Sequence, residues 1–435
     1  MAVVRPLLAL RYNRERVGEL SKVIAPPYDI ISSEDKKHYY EQSPYNIIRL
    51  ELGEVYPTDN SLDNVYTRAA QTLTEWRLQG ILQQDRQPAY YVYQQRFTHH
   101  GQSHTRTSLF ARVRLEPWST RVVLPHENTL SRAKEDRLRL YRACSINCSP
   151  IMSLYEDPQG RLRQLLSTYT GQPEIQIVDE VGEEHRLYTI HDLAQMTLIE
   201  DFFSQRQLYI ADGHHRYETA LAYRAEAQEQ QVGLQLEDAT NFALMALIDL
   251  DDPGMLVLPT HRILFGLPQD LLARLAPEPF SQYFAVEELP GTTSDETLLQ
   301  QLQQAGQQQA ALLLKTAEQT LLLRLNEQGR HFMGGSGHSP AWNELDVAIA
   351  ERLILENQLG LNSSGTTVGA HVRFTHESAQ AFQALATGGA QAIILLNATR
   401  QRQICAVAQA DDRMPPKSTY LYPKLVTGLV MNPLW

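Results

Sequence analysis

Apolar residues recur along this chain in two rhythms, one alternating and one helical. The stretch "AYYVYQQRFTHHGQSHTRTSLFARVRLEPW" gives two aromatic and β-branched runs around a polar, glycine-containing turn, the pattern of a β-hairpin. Ahead of it, "DNSLDNVYTRAAQTLTEWRLQGIL" carries helical spacing and stops near Gly80. "MAVVRPLLALRYNRER" reads as the first strand, "APPYDIIS" as a proline-stiffened turn leading into extended chain, and "SPYNIIRLELG" as a further strand. A polar helix from about Ser131 to Ala143, with Ser131 as its candidate cap, leads into the strand "PIMSLYE".

Leu208 to Ala211 read as a short buried strand, Asp212-Gly213 as a tight turn, and Tyr217, Ala220, Leu221 and Ala222 as one face of a helix. From about Asn241, strands ("FALMALIDL", "LVLPTHRIL", "AALLLKT", "QTLLLRLN", "AIILLNA") alternate with helices ("LDVAIAERLILENQL", "ESAQAFQALATG"), and the Gln-rich "LLQQLQQAGQQQ" suits a solvated helix. The pattern predicts a mixed α+β (α/β) protein. Its expected regions are a strand-rich 1–120, a central 121–235 and an α/β 236–435.

Composition narrows the class. At 435 residues, with 43% hydrophobic and 20% charged positions, the chain suits two or three core-forming domains. A formal charge of −11 argues against nucleic-acid binding by general electrostatics. No apolar run is long enough to span a bilayer, and the first residues lack a signal peptide's apolar region and cleavage site. Three cysteines form no disulfide framework, so a reducing, cytoplasmic setting is expected. The sequence fixes no oligomeric state.

Chemistry concentrates in three segments. No P-loop is present, "GGSGHSP" reads as a turn, "CSINC" as buried thiols, and His99, His100 and His104 as solvated turn residues. "ADGHHRYETALAYR" is different, because it sets His214, His215 and Arg216 at a helix start, where the backbone dipole disfavours cations by about 0.3–1 kcal/mol each. A bound anion reverses that cost. Gly213 lets backbone approach a ligand, the helix start offers amides to phosphate, Arg216 can fork onto oxygens, and His214 or His215 can shuttle protons. Asp212 can cap the helix or hold Mg²⁺. "LPHENTL" offers Glu127, after His126, as general base or metal ligand. "MPPKSTYLYPKL" interleaves Lys417, Ser418, Thr419 and Lys424 with tyrosines, a composition suited to a small anionic or carboxylate-bearing molecule.

With those residues in view, "IAPPYDIIS", "SPYNIIRLEL", "PHENT", "ADGHHRYETALAYR" and "MPPKSTYLYPKL" resemble, in order, the segments of the bacterial and archaeal domain-of-unknown-function family ten-fifteen. A shorter region, about Val122 to Ala225, is similar to free-serine kinases with the ParB/sulfiredoxin-like fold. That resemblance implies a ParB/sulfiredoxin-like nucleotide-binding core with Glu127 as catalytic base. It also implies that Asp212, Gly213, His214, His215 and Arg216 bind the phosphates and metal of ADP or ATP. Asp212 and His214 join Glu127 as expected catalytic residues, Asp212 and Glu127 as expected Mg²⁺ ligands, and His126, Lys417, Ser418, Thr419 and Lys424 as expected substrate contacts. The leading expectation is a small-molecule kinase acting on the hydroxyl of free L-serine. The alternative is a ParB-like nucleotide switch without an acceptor, and a hydrolase or ligase using the same turn is a third reading.

Overall fold

The computed structural model describes residues 1–129, 131–230, 235–361 and 366–435, apart from the side chains of 131–133 and 366–368, so the Ser131 cap lies outside the described residues. Its contacts divide it into two units. Unit 1 comprises Met1–Pro125, Thr129–Leu256 and Pro423–Trp435, and unit 2 comprises His126–Asn128 and Val257–Tyr422. The architecture is mixed α+β in both.

A nine-stranded mixed sheet forms unit 1. Its spine is the expected hairpin, Tyr90–His99 and Gln102–Arg114, turning at His100 (φ +48°) and Gly101 (φ +75°). Phe242–Asp249 extends it on the Gln102–Arg114 side and Glu184–Ile190 on the other. Beyond Phe242–Asp249 lie Ile151–Tyr155, parallel to it, then Leu208–Asp212 antiparallel, then Val123–Leu124. Side chains alternate across the pleat. One face presents Tyr90, Val92, Leu109, Ala111, Val113, Ala243, Met245 and Leu247 to a buried apolar cluster. Leu162 and Leu166, Met196, Ile199 and Phe203, and Tyr217 and Ala220, carried by three helices, complete that cluster. Each large side chain so buried contributes about 1.5–3 kcal/mol.

The opposite face is polar where the sheet is most central. Gln95 stands directly across from both His185 and Arg106, and all three are fully buried.

Three local expectations change. "SPYNIIRLELG" forms a helical turn, Ile48–Glu51, rather than a strand. Buried Asn46 forces it: its amide donates to the carbonyls of Lys22 and Ile24 while its oxygen accepts from the Ile48 N–H. In "APPYDIIS", Tyr28–Ile30 coil into a short 3₁₀ turn instead of running extended. The single first strand is two, Val4–Arg5 and Leu10–Tyr12, with Pro6 between them.

Unit 2 holds a six-stranded sheet whose recorded pairs are all antiparallel. Both faces are covered. Leu312, Leu314, Leu321 and Leu323 point to one core, and Ala311, Leu313, Leu322, Ile393 and Leu395 to another. The Gln-rich segment is the helix Asp295–Gln308, burying Leu298, Leu302 and Ala305 and leaving most of its glutamines outside. "LDVAIAERLILENQL" is helical but changes winding, α over Asp346–Ile349 and π over Ala350–Gln358.

Candidate functional site

The strand Leu208–Asp212 ends at a β-bulge: Ile210 faces Ser153, but Asp212 faces Met152, so the register slips at Ala211. Gly213 follows at φ +94°, a conformation that costs an L side chain dearly. Space forbids a side chain as well, because a Cβ there would sit 2.9 Å from Arg216 Nε. The helix His214–Gln230 then begins with no acidic residue in its first turn. Its buried face is pinned by Tyr217, stacked on Trp118 at 4.6 Å between centroids and hydrogen-bonded through its hydroxyl to the Glu116 backbone.

Two cations converge on Asp212. Arg216 Nη2 donates to Oδ2 at 2.7 Å, and Lys424 Nζ donates to Oδ1 at 2.7 Å. All three side chains are largely buried. Burial alone would raise the Asp212 carboxyl, but Lys424 and Arg216 outweigh it and hold the group well below the usual carboxylate range. Arg216 also donates to the Pro150 carbonyl, tying the helix start to the neighbouring strand. Burial pulls its guanidinium down, yet Asp212 and Asp29 keep it above its ordinary value. Half-buried His215 is lowered by burial, against the pull of Asp29 and Glu218.

Behind Arg216 lies a layer that the sequence reading missed. Arg137, almost fully buried, donates to the Glu51 carbonyl at 2.7 Å and stacks 4.2 Å over the Tyr28 ring. Ser149 Oγ donates to Glu51 Oε1 at 2.8 Å. Arg216, Arg137, Glu51 and Ser149 wall a void of about 10 Å³, room for about one water. "APPYD" supplies Tyr28 and Asp29 here, so the signal was present as a family segment without assigned chemistry. Lys424 has its own support: the Lys424 carbonyl accepts from Gln95 at 3.1 Å, and the Pro423 carbonyl from Arg106 at 2.6 Å.

The structure thus gathers Asp212, Gly213, His214, His215, Arg216 and Lys424 in unit 1. The other expected site residues belong to unit 2. There, buried His126 accepts through its carbonyl from the Met414 N–H at 2.8 Å, its Nε2 lies 3.4 Å from Thr419 Oγ1, and Glu127 bridges Met414. Ser418 spends its hydroxyl on the Pro415 carbonyl at 2.6 Å, and Lys417 is exposed at φ +57°. The "PKSTYLYPK" segment is therefore divided: Lys424 serves the Asp212 turn, while Lys417, Ser418 and Thr419 do not join it within unit 1. Within unit 1, Thr129 Oγ1 donates to Glu218 of the His214–Gln230 helix at 2.6 Å. Cys144, Cys148 and Cys405 are buried free thiols.

Fold and site together define a mixed α+β protein with a buried, cation-rich strand–glycine–helix turn. The chain belongs to the family described as "Protein of unknown function (DUF1015)", whose profile matches residues 4–348. No curated protein matches it. Among solved structures it is similar to a conserved hypothetical protein from Pyrococcus furiosus at 12% identity and TM-score 0.34, over 74% of this chain and 95% of that one. It is also similar to a free serine kinase variant in complex with ADP, at 12% identity and TM-score 0.36 over 74% and 92%. A third is a C-terminally truncated SbnI from Staphylococcus aureus, at 10% identity and TM-score 0.35 over 73% and 85%. Among the described residues, no helix is long and apolar enough to cross a membrane.

Proposed function

We propose that the Asp212–Arg216 turn binds the phosphates of a nucleotide, ATP or ADP, and that the protein is a small-molecule kinase. One observation carries the reading: Arg216 and Lys424 are both drawn to Asp212 at a helix start that has no acid in its first turn. The backbone dipole there also favours negative charge, so an anion is the proposed ligand of the turn. The glycine makes room for Arg216, whose guanidinium packs where a Cβ would stand, and so sets that cation against the helix start.

Arg216 works from within, holding the turn to Pro150 and Asp212, Lys424 is paired with Asp212, and the proposed ligand contacts fall to the helix-start amides and partly exposed His215. Asp212 does not fit a Mg²⁺ ligand as it stands, because both of its oxygens are ion-paired. Its proposed role is to orient the two cations, and no step is routed through a metal there. Glu127 is proposed to take the proton of the acceptor hydroxyl, as the resemblance of "PHE" to the free-serine kinases implies. The acceptor oxygen gains a bond to phosphorus as the bond to the departing nucleotide breaks, and free L-serine is the proposed acceptor. Such chemistry rests on positioning and charge neutralisation, which a few fixed groups can supply.

The test is incubation with ATP or ADP, Mg²⁺ and free amino acids, followed by mass spectrometry, beside nucleotide titrations of the same samples. Wild type should bind nucleotide and yield phosphoserine. Glu127→Ala should keep the nucleotide and lose product about 100-fold or more, and Lys424→Ala should weaken nucleotide binding. Absence of nucleotide binding by wild type refutes the site. Binding without any phosphorylated amino acid refutes the serine kinase reading and leaves the nucleotide switch.

A further inference from the structure

On the polar face of the unit 1 sheet, away from the turn just described, three side chains with metal-ligating atoms converge. Asp179, Glu183 and His185 offer two carboxylate oxygens and an imidazole nitrogen, all within 4.8 Å of one another. They lie on one short hairpin, Ile175–Val178 and Glu184–Ile190, so chain connectivity alone brings them together. The tip is preorganised: Asp179 Oδ1 accepts from the N–H groups of Val181 at 3.1 Å and Glu183 at 2.8 Å. That leaves Asp179 Oδ2 facing His185 Nε2 at 3.1 Å.

Two features set this cluster apart from a solvated acidic turn. The first is burial, since Glu183 is 8% exposed and His185 0%. Among the described residues no lysine or arginine pairs with Asp179 or Glu183, although two carboxylates held so close repel. Arg106 stands one residue removed, donating to Gln95 at 2.5 Å, while Gln95 donates to Glu183 Oε2 at 2.6 Å.

The second feature is the outer layer. His185 Nδ1 meets the fully buried Tyr93 hydroxyl at 2.6 Å, which fixes the ring and presents Nε2 to the carboxylates. A ligating histidine normally has such a partner on its other nitrogen. Two atoms each about 2.1 Å from one ion, at octahedral or tetrahedral angles, stand about 3.0–3.4 Å apart; the ion-free Asp179–His185 hydrogen bond already holds that pair at 3.1 Å, and all three ligand atoms lie within 4.8 Å of one another.

We infer that Asp179, Glu183 and His185 form a site for one divalent first-row transition ion of the Mn²⁺ to Zn²⁺ class. The imidazole favours these over Ca²⁺ and Mg²⁺, whose preferred ligands are all oxygens. In the bound form Nε2 is the ligand and Nδ1–H donates to Tyr93. The site does not depend on the nucleotide reading, and it is linked to that turn through Gln95, which donates to the Lys424 carbonyl, and Arg106, which donates to the Pro423 carbonyl.

The experiment uses the full chain, stripped with chelator and dialysed against Zn²⁺ or Mn²⁺, with metal content measured after gel filtration and affinity by calorimetry. Wild type should retain one equivalent of Zn²⁺ and prefer it to Ca²⁺ and Mg²⁺. His185→Asn and Asp179→Asn should lose it, and Tyr93→Phe should bind about 10-fold more weakly. His38→Asn and His100→Asn, on neighbouring surface histidines, should retain it. Should the site variants fail to fold, pulsed EPR of Mn²⁺-loaded wild type should still detect one coordinated histidine nitrogen. No retained equivalent in wild type, equal retention in His185→Asn, loss in His38→Asn, or no histidine nitrogen in the spectrum would each overturn the site.

Discussion

Replacing Gly213 by alanine tests the central turn most sharply. The substitution carries two separable costs. An L residue held at φ +94° carries backbone strain of about 1–3 kcal/mol. The new Cβ also lies 2.9 Å from Nε and 3.0 Å from Cζ of Arg216, so the guanidinium must move. Arg216 is anchored to Pro150 and Asp212, and losing one charged hydrogen bond costs about 1.5–3 kcal/mol. The sum, roughly 2.5–6 kcal/mol, is a large share of the 5–15 kcal/mol typical of a domain. Urea unfolding measures it. With Trp342→Phe in the background, the remaining tryptophans, Trp76, Trp118 and Trp435, all lie in unit 1, so fluorescence reports that unit. The decisive comparison repeats Gly213→Ala in an Arg216→Ala chain, where only the backbone part should remain. A coupling of about 1.5–3 kcal/mol is expected. Equal costs in the two backgrounds refute the steric argument, and no cost in either refutes the need for glycine.

Other expectations follow from the buried charges. Asp212→Asn leaves two largely buried cations without their counter-charge and should cost about 3–5 kcal/mol in urea. Because the folded Asp212 carboxyl is depressed, its contribution is present above about pH 4 and fades as pH falls through the folded value. Stability of the Asp212→Asn chain should accordingly fall less steeply below pH 4. In unit 2, burial and then Arg262 lower His261 to about 4, and its Nδ1 accepts the Leu396 N–H at 3.2 Å. That stability is full above about pH 6.5 and lost as pH falls toward 4, so His261→Gln should flatten unit 2 unfolding over that window. Cys144, Cys148 and Cys405 are buried, and burial pushes the Cys144 thiol up to about 12. A thiol reagent should therefore label none of them natively and all of them in denaturant.

Long periodic runs were legible in the sequence. The hairpin, the helix ending before Gly80 and the central strands agree with their patterns, because each buries one continuous face. The helix Leu193–Phe203 was readable but passed over: Asp192 caps it, and Met196, Ile199 and Phe203 recur on one side. "SPYNIIRLELG" misled because its apolar residues alternate as a strand would. Only tertiary bonds from Asn46, made to residues more than twenty positions away, decide for the helical turn. At the site, Asp212 to Arg216 were marked by the clash between cations and a helix start. Lys424 was noticed for its composition, but its partner lies 212 residues away, and no local rhythm encodes that pairing. Tyr28, Glu51 and Arg137 carried no spacing signal, since their grouping depends on three separate segments folding against one another.

That distance bears on how the molecule is made. Unit 1 is left by the chain after Leu256 and rejoined only at Pro423. Met431 then pairs with Leu10, Thr427 with Ala25, and Asn432 with Asn147, so segments far apart along the chain lock together. Every strand of that sheet lies at or before Asp249, so a chain ending short of Lys424 holds them all yet gives Asp212 one cation instead of two. A ribosome that stalls anywhere before codon 424 releases a chain whose turn lacks its second positive group. Contacts of such separation also slow folding. Synthesis therefore times the maturation of this turn, and partial products cannot carry it in finished form.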